Sequence, residues 1–149
     1  MDLPENRPGT DGFEFIEYAA PDPAELAAVL GAMGFERVAR HRSKDVTLYR
    51  QGDVNFIIDS EPASFAQAFA RVHGPSVCAF AIRVRDAARA YRELLALGAR
   101  AQHGRIGPME LHIPAIRGIG GSLIYLVGPY ANGLSIYHMG FVFEDGARR

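Results

Sequence analysis

The alternation of apolar and polar residues in Phe13-Glu14-Phe15-Ile16-Glu17-Tyr18-Ala19-Ala20 predicts a strand, and Pro21-Asp22-Pro23 stops it and opens a helix. Asp22 suits the N-cap, Pro23 the first helical position where a missing N–H costs nothing, and Glu25, three after the cap, completes a capping box. Leu26, Val29, Leu30 and Met33 recur at a spacing that places four apolar side chains on one helix face, and Gly34 stands where a left-handed C′ residue closes a helix. Three extended stretches follow, Glu36 to His41, Val46 to Arg50 and Val54 to Asp59, the last two joined as a hairpin across Gln51-Gly52-Asp53.

The same plan then returns. A shift of 64 positions carries Asp22 onto Asp86 and Gly34 onto Gly98 without a gap. The second copy has a strand from Val77 to Val84 and a helix presenting Ala90, Tyr91, Leu94 and Leu97. Its extended stretches are Arg100 to Gly104, Met109 to Ile116 and Ser122 to Val127, with Arg117-Gly118-Ile119-Gly120-Gly121 as a turn. Gly52 to Ile58 aligns with Gly121 to Val127. A short helix, Ser64 to His73, joins the copies; Ser64 and Gln67 form a second capping box and Gly74-Pro75 ends it. The expected fold class is α+β: two tandem β-α-β-β-β modules forming a curved eight-stranded mixed sheet, with helices on the outer face and a cup on the other. Residues 1–11 are expected to be a flexible start and 12–130 one domain, divided into module 12–60, linker helix 62–74 and module 76–130. Residues 131–149 are expected to be an extended connector, because Leu134 to Phe143 leaves the repeat.

Composition narrows the function classes. A chain of 149 residues with 48% apolar and 22% charged residues fits one globular domain. The net charge of -1 gives no global field that would attract nucleic acid or anionic lipid. Cys78 is the only cysteine, which excludes an internal disulfide and a thiolate metal cluster and points to a reducing compartment. The start, Met1 to Thr10, is polar with Pro4 and Pro8, unlike a secretory signal, and the longest apolar run, Val77 to Ile82, is far below the roughly 20 residues of a membrane helix. The expectation is a soluble, cytoplasmic protein.

Tandem units of this kind resemble the vicinal oxygen chelate superfamily. Within it, Gly12 to Asp22, Ala39 to Gly52, His73 to Cys78, Gly107 to Leu111, Ile113 to Ile116 and Gly118 to Gly120 are similar, almost residue for residue, to bacterial 4-hydroxyphenylpyruvate dioxygenases. The resemblance runs roughly from Gly9 to Tyr137, and the departures begin at Tyr137-His138-Met139-Gly140-Phe141. It implies the amino-terminal half of an enzyme that converts 4-hydroxyphenylpyruvate and dioxygen into homogentisate and carbon dioxide on non-haem Fe(II), in tyrosine catabolism. The two histidines and one glutamate that hold iron in that family lie in the carboxy-terminal half, so the resemblance assigns no catalytic, cofactor-binding or metal residue to this chain. It implies a role in folding and assembly, with the family's own carboxy-terminal catalytic domain as partner, a hydrophobic docking surface and a homo-oligomer. A freestanding metal-free binding or scaffold protein of the same fold is the alternative, as is the corresponding domain of a hydroxymandelate synthase or a fused dehydroshikimate dehydratase.

In this superfamily the metal ligands occupy the first strand, seven residues before the capping aspartate, and the last strand of each unit; the matching positions here are Phe15, Phe56, Ala79 and Tyr125. An Fe(II) site needs imidazoles and a carboxylate with open coordination positions, and Phe and Ala cannot coordinate, so these residues are expected to fill the cup. Glu110 and His112, two apart on an expected strand, share a face but have no third ligand at a metal-motif spacing. His41 lies in the basic run Arg40-His41-Arg42-Ser43-Lys44, read as a solvated turn that could also hold an anion or form an interface; His73 ends a helix, and His103 and His138 have no evident partner. Cys78, beside Phe80 and Ile82, reads as a buried strand residue. Gly118-Ile119-Gly120-Gly121 fits a hairpin turn better than any phosphate loop, and strict alternation puts Glu14 and Glu17 on opposite strand faces, where they cannot act as an acid–base pair.

Overall fold

A computed structural model of the chain describes residues 5–103, 108 and 112–147. The first module runs β1 (Thr10–Ala19), α1 (Pro23–Ala32), β2 (Glu36–His41), β3 (Val46–Gln51) and β4 (Val54–Asp59). After the linker α2 (Phe65–His73) come β5 (Ser76–Val84), α3 (Ala87–Ala96), β6 (Ala101–Gln102), β7 (Ala115–Arg117) and β8 (Leu123–Val127). A short helix α4 (Ile136–Gly140) and strand β9 (Phe141–Phe143) complete the described elements.

Among the described residues one mixed sheet holds nine strands, in the order β6-β7-β8-β5-β1-β4-β3-β2-β9. The two modules meet at the antiparallel β1·β5 seam; β1 pairs parallel with β4, and β5 pairs parallel with β8. The helices α1 and α3 start and stop by the same devices. Asp22 accepts from the Ala24 amide at 3.2 Å and Asp86 from the Arg89 amide at 3.0 Å. At the other ends Gly34 and Gly98 adopt φ of 90° and 98°, with the next amide closing onto Leu30 and Leu94 respectively, each at 3.0 Å.

The sheet is covered on both faces. Under α1 lie Ala20, Phe35, Tyr49 and Ile58, and under α3 lie Val84 and Leu126. On the inner face a larger core joins Phe15, Ala39, Leu48, Ile57, Ala79, Leu123 and Tyr125 to Ala66 and Ala70 of α2 and to Ile136, Tyr137 and Phe141 of the tail. The described helices include none long and apolar enough to cross a membrane.

Four expectations change. The sheet has nine strands rather than eight, because the tail is not an extended connector: β9 pairs antiparallel with β2, Phe141 opposite His41 and Phe143 opposite Ala39. The driving force is burial of Ile136, Tyr137 and Phe141, which a connector in water would expose. Of the expected flexible start, residues 1–4 lie outside the described residues and the rest is tied down: β1 starts at Thr10, whose amide donates to Asn6 Oδ1 at 2.9 Å, and Arg7 pairs with Glu93 at 2.7 Å. The four-residue apolar face of α1 is split: Leu26 and Leu30 pack inward, whereas Val29 and Met33 are 51% and 57% exposed. In the second capping box Ser64 accepts from the Gln67 amide at 3.1 Å, but the Gln67 side chain donates to the Asp59 carbonyl at 3.0 Å instead of reaching back to the cap.

Candidate functional site

The four positions read from spacing as candidate ligand positions, Phe15, Phe56, Ala79 and Tyr125, do not share one face. The parallel registers decide this: Ile16 lies opposite Phe56 in the first module, and its repeat partner Phe80 lies opposite Ile124 in the second. The structural counterpart of Tyr125 is therefore Ile57, not Phe56, and a one-residue slip on a strand turns every side chain to the other face. Phe56 points outward, stacked on Phe35 at 4.5 Å and edge-on to Tyr18 at 5.4 Å. The inner wall is made by Phe15, Ile57, Ala79 and Tyr125, each at most 1% exposed. This set supplies no imidazole or carboxylate, so its donor chemistry does not fit Fe(II). Burial, then the Glu17 carboxyl, pushes the Tyr125 phenol well above its ordinary range, which keeps it protonated.

Beside this wall lies a buried polar cluster that strand periodicity does not reveal. Two β-bulges build it. On β1, Phe13 lies opposite Ile82 and Phe15 opposite Ala81, which leaves Glu14 as the extra residue; on β5, Ala79 lies opposite Glu17 and Val77 opposite Tyr18, which leaves Cys78 extra. The second bulge turns Cys78 away from the Phe80 and Ile82 side into the inner core, its thiol 3.7 Å from the Glu17 carbonyl oxygen. Cys78 is buried, as expected. Burial, then Glu17 and Asp59, raises its thiol far above the ordinary cysteine range, so it is inert as a nucleophile.

Glu17 is fully buried and Asp59 is 2% exposed, on adjacent strands. Neither carboxylate oxygen of Glu17 meets a donor in hydrogen-bonding geometry. Burial, then the Asp59 charge, raises the Glu17 pKa well above the carboxylate range; burial also raises Asp59, while its contact with Glu17 lowers it. Both carboxyls are thus shifted up by burial, and the pair as a whole holds a proton more readily than two exposed acids would. Asp59 keeps further bonds: its Oδ1 accepts from the Glu61 amide at 3.0 Å and its carbonyl from Gln67 Nε2 at 3.0 Å. An acid between Phe15 and Ala19 on an apolar strand face was the one readable sign of this cluster.

A family profile described as "Hydroxyphenylpyruvate dioxygenase, HPPD, N-terminal" matches residues 4–142. The chain belongs to this family. It is 53% identical over 148 residues to a 4-hydroxyphenylpyruvate dioxygenase of Pseudomonas sp. (strain P.J. 874), covering 99% of this chain and 42% of the relative. A 3-dehydroshikimate dehydratase of Pseudomonas aeruginosa is 47% identical over 137 residues, 91% of this chain and 22% of the relative. Among solved structures, a fusion of a xylose isomerase-like TIM barrel with 4-hydroxyphenylpyruvate dioxygenase superposes with a TM-score of 0.82 at 39% identity, over 93% of this chain and 22% of that one. The chain thus spans less than half the length of these relatives.

The remaining candidates of this dioxygenase amino-terminal domain fall into structural roles or apart. His41 is not in a solvated turn: it ends β2, 5% exposed, edge-on to Phe141 at 5.6 Å, and its Nδ1 accepts from the Ser43 and Lys44 amides at 3.2 and 3.1 Å. The ring ties the turn to the tail. Glu110 lies outside the described residues, as do parts of the expected strands Arg100 to Gly104 and Met109 to Ile116. His112 is exposed and lines an open cleft with His103, Tyr91 and Arg92. His73 closes α2 and stacks on Phe69 at 4.2 Å. His138 finds a partner in Ser135, whose Oγ lies 2.7 Å from Nδ1 in a capping box. The Gly118 segment is a turn between β7 and β8, with Ile119 94% exposed at its tip. Alternation misplaces Glu14 at its bulge; it bonds Arg83 at the rim at 2.8 Å, apart from the Glu17 cluster.

Proposed function

We propose that this domain serves as the non-metal amino-terminal half of a 4-hydroxyphenylpyruvate dioxygenase, supporting the folding and assembly of a catalytic half that holds Fe(II) and converts 4-hydroxyphenylpyruvate and dioxygen into homogentisate and carbon dioxide. The observation that carries it is the filled inner wall: Phe15, Ile57, Ala79 and Tyr125 occupy the ligand positions with buried hydrocarbon and a protonated phenol, under α2 and the tail. A ferrous ion would have to displace a packed core there. The family membership and the 53% identity to a dioxygenase support the assignment. The partner is the carboxy-terminal catalytic domain of the family polypeptide, and the location is the cytoplasm, in keeping with a single buried, unpaired cysteine.

Self-association belongs to the same reading. The exposed side of α1 carries Val29 and Met33, whereas the repeat equivalent of Val29 in α3 is the charged Glu93. Met33 has an exposed apolar counterpart in Leu97, so in this respect the two helices differ at Val29 alone, and the paired Val29 and Met33 on α1 suit burial against another subunit. The second reading, the corresponding domain of a fused dehydroshikimate dehydratase, rests on the 47% identity to such an enzyme and keeps the same supporting role.

The test is oxygen uptake with 4-hydroxyphenylpyruvate and added Fe(II), together with iron content, for the 149-residue chain alone and mixed with the carboxy-terminal half of the Pseudomonas sp. relative. The chain alone is expected to retain no stoichiometric iron and to show no turnover, and the mixture to turn over faster than the catalytic half by itself. Turnover by the short chain alone overturns the proposal.

A further inference from the structure

Glu17 presents a problem that its fold must solve. It is fully buried, neither of its oxygens has a partner in good hydrogen-bonding geometry among the described residues, the Cys78 thiol and Tyr125 phenol stand close by, and the neighbouring polar side chain on β4 is another carboxyl, Asp59. Two carboxylates confined in a buried layer repel each other and lose bulk hydration, so the arrangement is favourable only when one of them carries a proton. The other charged or titratable groups acting on Glu17 come from each neighbouring element: Cys78 of β5, Tyr125 of β8, and Lys44 of the β2–β3 turn, whose charge acts in the opposite sense. The buried residues of α2, Ala66, Gln67 and Ala70, include no ionisable group.

The same carboxyl pair is wired to the layer above it. Asp59 ends β4 and leads directly into the turn that opens α2. Its Oδ1 holds the Glu61 amide at 3.0 Å, its carbonyl holds the Gln67 side chain at 3.0 Å, and Ser64, which hydrogen-bonds the Glu61 carbonyl at 2.7 Å, caps the helix. α2 packs on β1 and β5, the strands that carry Glu17 and Cys78. Unlike any strand of the sheet, it can move without breaking a ladder of backbone hydrogen bonds.

We propose that Glu17 and Asp59 form a proton-held latch: one proton shared between the two buried carboxyls keeps α2 seated on the inner face of the sheet, and its loss lifts α2 and admits water to that face. The linkage fixes the sign. With α2 lifted, the solvated Glu17 returns to the ordinary carboxyl range; with α2 seated, the proton is held to higher pH. Between those limits each rise of one pH unit multiplies the lifted population by up to about tenfold, one proton being released per opening. Below the ordinary carboxyl range the latch is fully closed, and above the seated-state value the population stops changing.

The experiment is native-state hydrogen exchange of the full chain from pH 5 to 8, corrected for intrinsic rates, comparing α2 amides with those of the β1·β5 seam. In the wild type the α2 opening constant is expected to rise by several-fold to tenfold per pH unit, while the seam amides stay protected. Glu17→Gln, which keeps the shape and removes the titration, is expected to flatten the α2 profile. A carboxyl 13C titration of the wild type gives a check that needs no variant, with Glu17 expected to titrate above ordinary glutamates. An α2 profile in Glu17→Gln as steep as in the wild type, parallel loss of protection in the seam, or an ordinary Glu17 titration would each overturn the latch.

Discussion

Truncating Tyr137 tests whether the tail belongs to the domain. Tyr137 is 3% exposed, its hydroxyl donates to the Glu14 carbonyl at 3.0 Å, and its ring lies 6.3 Å from Phe141 and under the Arg50 guanidinium at 5.3 Å. The Glu14 carbonyl, freed by the β1 bulge, also accepts from Asn55 Nδ2 at 3.2 Å. Tyr137→Phe therefore removes one bond without orphaning the acceptor, and the expected cost is about 1 kcal/mol. Tyr137→Ala also empties a ring-sized volume between β1, β3 and β9, with an expected cost of roughly 3–5 kcal/mol. With a urea m-value on the order of 2 kcal/mol/M, the midpoints should fall by roughly 0.5 M and 2 M with m unchanged, as read by far-UV circular dichroism. Burial, then Glu14, raises the Tyr137 phenol far above its ordinary range, so the Tyr/Phe difference should persist through neutral and mildly alkaline pH. A loss below about 1 kcal/mol for Tyr137→Ala would mean that the tail is not part of the core, and the expectation of a connector would stand.

Three further outcomes follow from the packing. Val29→Lys is expected to change the stability of the isolated chain by less than about 0.5 kcal/mol, because Val29 is 51% exposed, whereas Leu30→Ala, at 3% exposure, should cost roughly 2–5 kcal/mol by thermal or urea melting. Gly98→Ala should cost about 1 kcal/mol from its φ of 98° alone, since a Cβ there meets open space; Gly34→Ala should cost more in the same melts, because its Cβ would fall 2.6 Å from Gln51 Nε2 and disturb that group's bond to the Met33 carbonyl. Cys78 should resist alkylation by iodoacetamide in the native state and react at the rate of unfolding, being fully buried with a raised thiol pKa; rapid labelling of the folded chain by mass spectrometry would contradict its placement.

The sequence by itself determined the repeat, the helix caps and the class of fold. Asp22 and Asp86, Gly34 and Gly98 act locally, through an amide two or three residues away or a single positive φ, so their pattern survives without knowledge of the rest of the chain. The family was likewise legible, because its motifs are local strings. What only the tertiary structure decided was which face a strand residue meets. A bulge at Glu14 and another at Cys78 each shift the alternation by one residue, and the parallel register puts Ile57 where spacing put Phe56. A period of two makes such single-residue steps invisible in composition and decisive in space. The same holds for the tail: Tyr137 and Phe141 gain their energy from partners a hundred residues or more away, such as Glu14 and His41, and nothing local to them announces a ninth strand. Glu17 belongs to this second kind: its neighbours Asp59, Cys78 and Tyr125 come from three other strands, and only their convergence buries it beside a second carboxyl.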